Sequence, residues 1–156
     1  MKIKTIFAFL FFLFLCFGVS YVGSRFTFPA LDPWYAGLQK PSFNPPNWVF
    51  GPVWGVLYFL MAVSAWLVWR KVGFFHSSQV FFYLQLTANL LWSILFFGMH
   101  RMELALLDIS ILWLFIVLTL NAYRKIESWA ALFFIPYLLW VSFAAVLNYS
   151  LWRLNF

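Results

Sequence analysis

At 156 residues, with 65% hydrophobic and 9% charged side chains, the chain is far from a soluble domain, in which about a quarter of residues are charged. Its net charge of +6 sits in basic runs no longer than two residues, which argues against a nucleic-acid surface, and the lone Cys16 excludes an internal disulfide and a cysteine-based metal site. What fits is one domain, residues 1–156, whose solvent is the bilayer.

Five apolar runs lie near 5–23, 46–69, 79–99, 104–123 and 129–152. Each is about 20 residues or longer, enough to cross roughly 30 Å of hydrocarbon as a helix. Lipid offers no partner to backbone N–H and C=O groups, so spanning segments must pair them internally. The sequence therefore predicts an all-α membrane protein, a bundle of five transmembrane helices. The first run follows Lys2 and Lys4 in the manner of a secretory leader, but it is long for one, and Leu13-Phe14-Leu15 offers no small residue before Cys16. It reads as a retained helix. The short connections after the second helix predict helices two to five as sequential antiparallel neighbours. Lys2, Lys4, Arg70, Lys71, Arg124 and Lys125 fall on the N-terminal side, against Arg25, Lys40, Arg101 and Arg153 opposite, so the N-terminus is expected inside.

Between the first two runs the backbone is made irregular by proline. Five of the seven prolines, Pro33, Pro41, Pro45, Pro46 and Pro52, fall at 33–52. They fix φ and remove donors, giving a stiff extended loop. Pro46 suits the first turn of the second helix, and Pro52 is expected to bend that helix. Residues 25–45 are expected to form an ordered lid, with Trp34 and Tyr35 as interfacial anchors.

Helix three carries Gln85, Asn89, Trp92 and Phe96 at spacings of four, three and four, which is one face. Amides are costly in lipid, so this face points into the bundle. Gln85 serves interhelical bonding as well as it would serve a ligand, while Asn89 beside Trp92 is the better site candidate. Helix five repeats the device after Pro136, with Trp140, Ala144 and Asn148 at four-residue spacing, and helix two offers Trp54 and Tyr58. A small residue between an indole and an amide leaves room for a flat ligand, so a pocket lined by Trp54, Asn89, Trp92 and Trp140 is expected. Asp108, an acid about a turn into helix four, is read either as a functional group or as a carboxylate favoured near the helix N-terminus and within reach of Arg101. Leu147-x-Tyr149-x-x-x-Arg153 fits the loose sterol-recognition pattern, or else an interfacial Tyr with a snorkelling Arg. His76 and His100 sit in loops without a second ligand at metal spacing, and no nucleophilic triad or phosphate loop is present, so neither a metal nor a cofactor is expected.

WYAGLQKPSFNPPNWVFGPVWGVLY at 34–58 closely resembles the signature of the TspO/translocator protein family of tryptophan-rich sensory proteins. YVGSRF at 21–26, NLLWSILFFG at 89–98 and PYLLWVSFAAVLNYSLWR at 136–153 resemble its first, third and fifth helices. The resemblance implies a five-helix bundle, often homodimeric, that binds porphyrins such as protoporphyrin IX and other flat hydrophobic ligands, and in animals cholesterol. By matching positions it implies a ligand site of Tyr35, Pro45, Gly51, Trp54, Asn89, Trp92, Trp140, Ala144, Leu147 and Asn148, and a sterol motif of Leu147, Tyr149 and Arg153. In bacterial members it further implies light- and oxygen-dependent porphyrin breakdown, with Trp54 and Trp140 taking part. Met102-Glu103-Leu104 departs from the Met-Gly-Trp of animal members, so a pocket tryptophan is missing. A bacterial cell membrane is the expected location, or the mitochondrial outer membrane for a eukaryotic chain. Three functions compete: a tetrapyrrole-binding sensor or transporter, a porphyrin-degrading enzyme, and a sterol-binding protein or scaffold.

Overall fold

A computed structural model describes residues 2–156, with side chains from Ile3 onward. Five helices account for the regular structure of the described residues: α1 (Lys2–Ala30), α2 (Asn47–Val72), α3 (Ser77–Ser93), α4 (Met102–Arg124) and α5 (Ser128–Asn155). All five are long and apolar enough to cross a bilayer, as the sequence predicts. The chain is an integral, multi-pass membrane protein.

The first helix differs from expectation. It runs on through Gly23-Ser24-Arg25, which read as a terminus, and a wide π turn (Leu31–Tyr35) follows it, with Asp32 in an extended conformation. Between α1 and α2 only residues 38–46 are irregular, so the expected lid is helical in its first half. The reason lies at Gly23: a Cβ there would meet Ser93 Oγ at 3.2 Å, so the glycine admits α3 rather than ending α1. A second π turn (Ile94–Gly98) extends α3, and Gly98 lies so close to Phe26 that a Cβ would come within 2.8 Å of its ring. Pro46 is the N-cap of α2, one place ahead of its expected position, and α2 and α5 are unbroken helices through Pro52 and Pro136.

The helices close a ring in the order α1, α2, α5, α4, α3. α3, α4 and α5 are sequential neighbours as expected, but α2 and α3, expected to pack in the same way, are not close-packed. The 73–76 connection joins their ends, but α1 wedges between them further along, and long side chains bridge the gap. Gln79 Nε2 donates to the Ala65 carbonyl at 3.0 Å, and Gln85 Nε2 reaches Met61 Sδ at 3.8 Å. Where α2 meets α5, the fully buried Ser64 donates to the Ala130 carbonyl. Small residues there let the backbones approach, which is how helices associate where lipid supplies no hydrophobic drive.

Packing differs between the two ends. Toward the N-terminal face, Phe12, Phe82, Tyr123, Phe134 and Tyr137 are fully buried against Met61 and Ala65 and fill the interior. Toward the opposite face the helices part around a cavity.

Candidate functional site

α1 buries Ala8, Phe12 and Cys16 on one stripe. Continued at the same helical spacing, that stripe presents Ser20, Ser24 and Thr27, and these line a cavity of about 450 Å³. Small-molecule sites commonly span about 300–1,000 Å³. Its other walls are Gly51, Trp54 and Tyr58 of α2, Asn89 and Trp92 of α3, and Trp140, Ala144, Leu147 and Asn148 of α5. The π turn at 94–98 turns Phe96 and Phe97 inward, and Tyr35 adds a ring from the π turn at 31–35. The described walls include exposed residues of α1 and α2, among them Tyr21 and Phe28, so the cavity reaches the lipid-facing surface between these helices.

Hydrogen bonds fix the polar groups of the wall. Tyr58 OH donates to Asn89 Oδ1 at 2.5 Å, Asn89 Nδ2 donates to Tyr137 OH at 2.9 Å, and Tyr137 OH donates to Gln85 Oε1 at 2.8 Å. One chain of bonds thus ties α2, α3 and α5 behind the cavity. In a second, Trp92 Nε1 donates to Asn148 Oδ1 at 3.0 Å, and Asn148 Nδ2 donates to the Met102 carbonyl at 3.0 Å. Both amides are held rigid, as buried polar groups in a low dielectric must be. The indole N–H groups of Trp54 and Trp140, by contrast, have no hydrogen-bond partner among the described residues. Trp54 rests against Tyr58 at 5.5 Å and edge-on to Tyr137 at 6.2 Å, while Trp140 lies between Phe50 and Phe143.

Residues 31–46 are strapped over the end of the cavity at several points. Gln39 and Asn155 exchange two bonds: Gln39 N donates to Asn155 Oδ1 at 2.9 Å, and Asn155 Nδ2 donates to the Gln39 carbonyl at 3.0 Å. Tyr35 OH donates to Asn44 Oδ1 at 2.9 Å, and Lys40 Nζ sits 4.9 Å from the centre of the Tyr35 ring. Trp34 stacks on His100 with ring centres 4.0 Å apart.

Of the residues the sequence singles out, Pro45 is absent from the described lining. Its carbonyl instead accepts from Asn44 Nδ2, which orients the amide that holds Tyr35. Leu147, Tyr149 and Arg153 do not share a face: Leu147 is buried in the cavity wall, while Tyr149 and Arg153 are exposed on the outside of α5. Asp108 does not pair with Arg101, whose guanidinium takes Glu103 instead; it is 6% exposed, and its Oδ2 has no partner among the described residues. Sequence reasoning missed the α1 wall. The signal was present, since Ser20, Ser24 and Thr27 recur at spacings of four and three within a run of phenylalanine and leucine.

A family model described as "TspO/MBR family" matches residues 12–153. The chain is 43% identical over 139 residues to "Tryptophan-rich protein TspO" of Archaeoglobus fulgidus, covering 88% of this chain and 90% of the relative. It is 42% identical over 139 residues to "Translocator protein" of Homo sapiens, covering 86% and 82% respectively. It is 44% identical over 126 residues to "Tryptophan-rich sensory protein" of Cereibacter sphaeroides, covering 80% and 78%. With five spanning helices, an indole-lined cavity and a match over nearly its whole length, the chain belongs to the TspO/MBR family.

Proposed function

We propose that the protein binds a flat tetrapyrrole, of the protoporphyrin IX type, inside the bundle and acts as a membrane sensor or carrier of such ligands. The observation that carries the reading is the cavity itself, walled by Trp54, Trp92 and Trp140 from three helices. Aromatic contacts add about 0.5–1.5 kcal/mol each beyond burial, so three indoles favour an extended π ligand over an alkyl chain. The unpaired N–H groups of Trp54 and Trp140 supply donors for acceptor atoms of the macrocycle or its carboxylates. Tyr35, Gly51, Asn89, Ala144, Leu147 and Asn148 complete the site in this reading, and Pro45 acts only through Asn44. The outward turn of Tyr149 and Arg153 gives a sterol reading of the cavity no support. A homodimer, implied by the resemblance, belongs to the same proposal, and crosslinking in native membranes decides it.

Titration of the purified protein with protoporphyrin IX in the dark tests the reading. A saturable shift in porphyrin absorbance with quenched tryptophan fluorescence is expected. Absence of both would leave a scaffold role standing in its place.

A second reading, light-driven porphyrin breakdown, is favoured by the two oxidisable indoles, Trp54 and Trp140, in the cavity wall. Illuminating the complex in air decides between them: a new product spectrum is expected for an enzyme and no change for a carrier. Trp140→Phe keeps a ring, so it should retain most of the binding and lose most of any such turnover.

A further inference from the structure

A continuous series of rings leads from the cavity to the membrane surface. Trp92, in the wall, stacks on Phe96 with ring centres 5.1 Å apart and planes at 21°. Phe96, 2% exposed, meets Trp34 edge-on at 5.6 Å. Trp34 in turn lies parallel to His100 at 4.0 Å and 10°. His100 is exposed, beyond the end of the third span, and adopts φ 56°, a left-handed conformation that is unfavourable for a residue with a side chain. The fold thus accepts local strain where a ring is laid on Trp34.

The two indoles of this series differ in the way that charge migration requires. Trp92 Nε1 is bonded to an amide oxygen, a poor base, so a radical cation formed there keeps its proton and passes on its charge. Trp34 is half-buried beside exposed His100, so its indole proton has a route to solvent that the Trp92 proton lacks.

We propose that Trp92, Phe96 and Trp34 form a conduit that carries an oxidising equivalent out of the cavity to the membrane surface, where Trp34 lies against His100. It rests on the reading that a light-absorbing macrocycle occupies the cavity. The photoexcited macrocycle takes one electron from Trp92, becoming its radical anion and leaving the Trp92 radical cation. Trp34 gives one electron to Trp92 across Phe96, which restores Trp92. The Trp34 radical cation releases its indole proton to water, and the neutral radical combines with molecular oxygen. A second oxygen molecule takes the electron from the reduced macrocycle and leaves as superoxide. Damage is thereby moved from the binding site to a residue outside it.

The test is peptide mass spectrometry of protoporphyrin IX-loaded protein after illumination in air, with azide present to quench singlet oxygen. Oxidation should fall on Trp34 severalfold more than on Trp54 or Trp140. In Trp34→Phe it should retreat to Trp92. In Phe96→Leu, checked for a retained bound-porphyrin spectrum, oxidation of Trp34 should drop severalfold. A bound-porphyrin spectrum with oxidation confined to Trp54 and Trp140, or Trp34 oxidation unchanged in Phe96→Leu, would overturn the conduit alone. No bound spectrum in the unmodified protein would overturn the tetrapyrrole reading and the conduit with it.

Discussion

Asn89 shows how one side chain can serve both stability and site. Its amide oxygen accepts from Tyr58 and its nitrogen donates to Tyr137, yet it still forms part of the cavity wall. Tyr137→Phe removes the hydroxyl that links Asn89 to Gln85 and leaves two buried amides short of a partner. A loss of about 1–3 kcal/mol is expected, read from thermal unfolding in detergent. An unchanged melt would mean that the chain of bonds adds nothing to stability. The inward face of α3 was legible because amides at helical spacing have nowhere else to go in lipid. Asn89 was preferred to Gln85 because Trp92 stands beside it, and of the two amides it is Asn89 that lies in the cavity wall. Of the two readings of Asp108, the pairing with Arg101 failed because proximity in sequence concealed the competing claim of Glu103.

At the scale of elements, existence was easy and ends were hard. Apolar runs of spanning length specify helices because the solvent permits little else. Gly23 stood where the first apolar run was expected to end, whereas it marks a close approach between α1 and α3. Gly23→Leu should therefore push against Ser93 and destabilise the fold by about 1–3 kcal/mol. A melt equal to that of the parent would show that α1 and α3 can part there without penalty. The start of α5 permits a pH test. Glu127 accepts a hydrogen bond from Lys71 Nζ, with N···O 2.9 Å, and one from the Trp129 N–H, and these hold its carboxyl below the usual glutamate range. Because the folded pKa is depressed, the stabilisation is present above the ordinary glutamate pKa and lost as pH falls through the lower folded value. Lys71 is exposed and Glu127 half-buried, so the effect should be small and weakened by salt. Unfolding temperature should fall on acidification below about pH 4.5 and less so in Glu127→Gln. Parallel pH profiles would remove Glu127 from the account.

For the whole molecule, the ring order decides where the cavity lies. Sequential packing of α2 against α3 would have closed the space that α1 now shares with them. Short connections suggested that packing, because they constrain the ends of helices and say little about their middles. The outcome is a bundle solid toward its N-terminal face and hollow toward the other, where residues 31–46 are tied to α5 through Gln39 and Asn155. The claim that this hollow is the ligand site is tested most directly by filling it. Ala144 lies in its wall one turn from both Trp140 and Asn148, and a larger side chain there projects among the three indoles. The measurement is the affinity of protoporphyrin IX for Ala144→Leu and for the parent, in the dark, with unfolding temperature as the control for folding. The expected result is binding at least about tenfold weaker, equivalent to about 1.4 kcal/mol, with the melt preserved. Equal affinities in a variant that folds normally would contradict the account and place the ligand elsewhere.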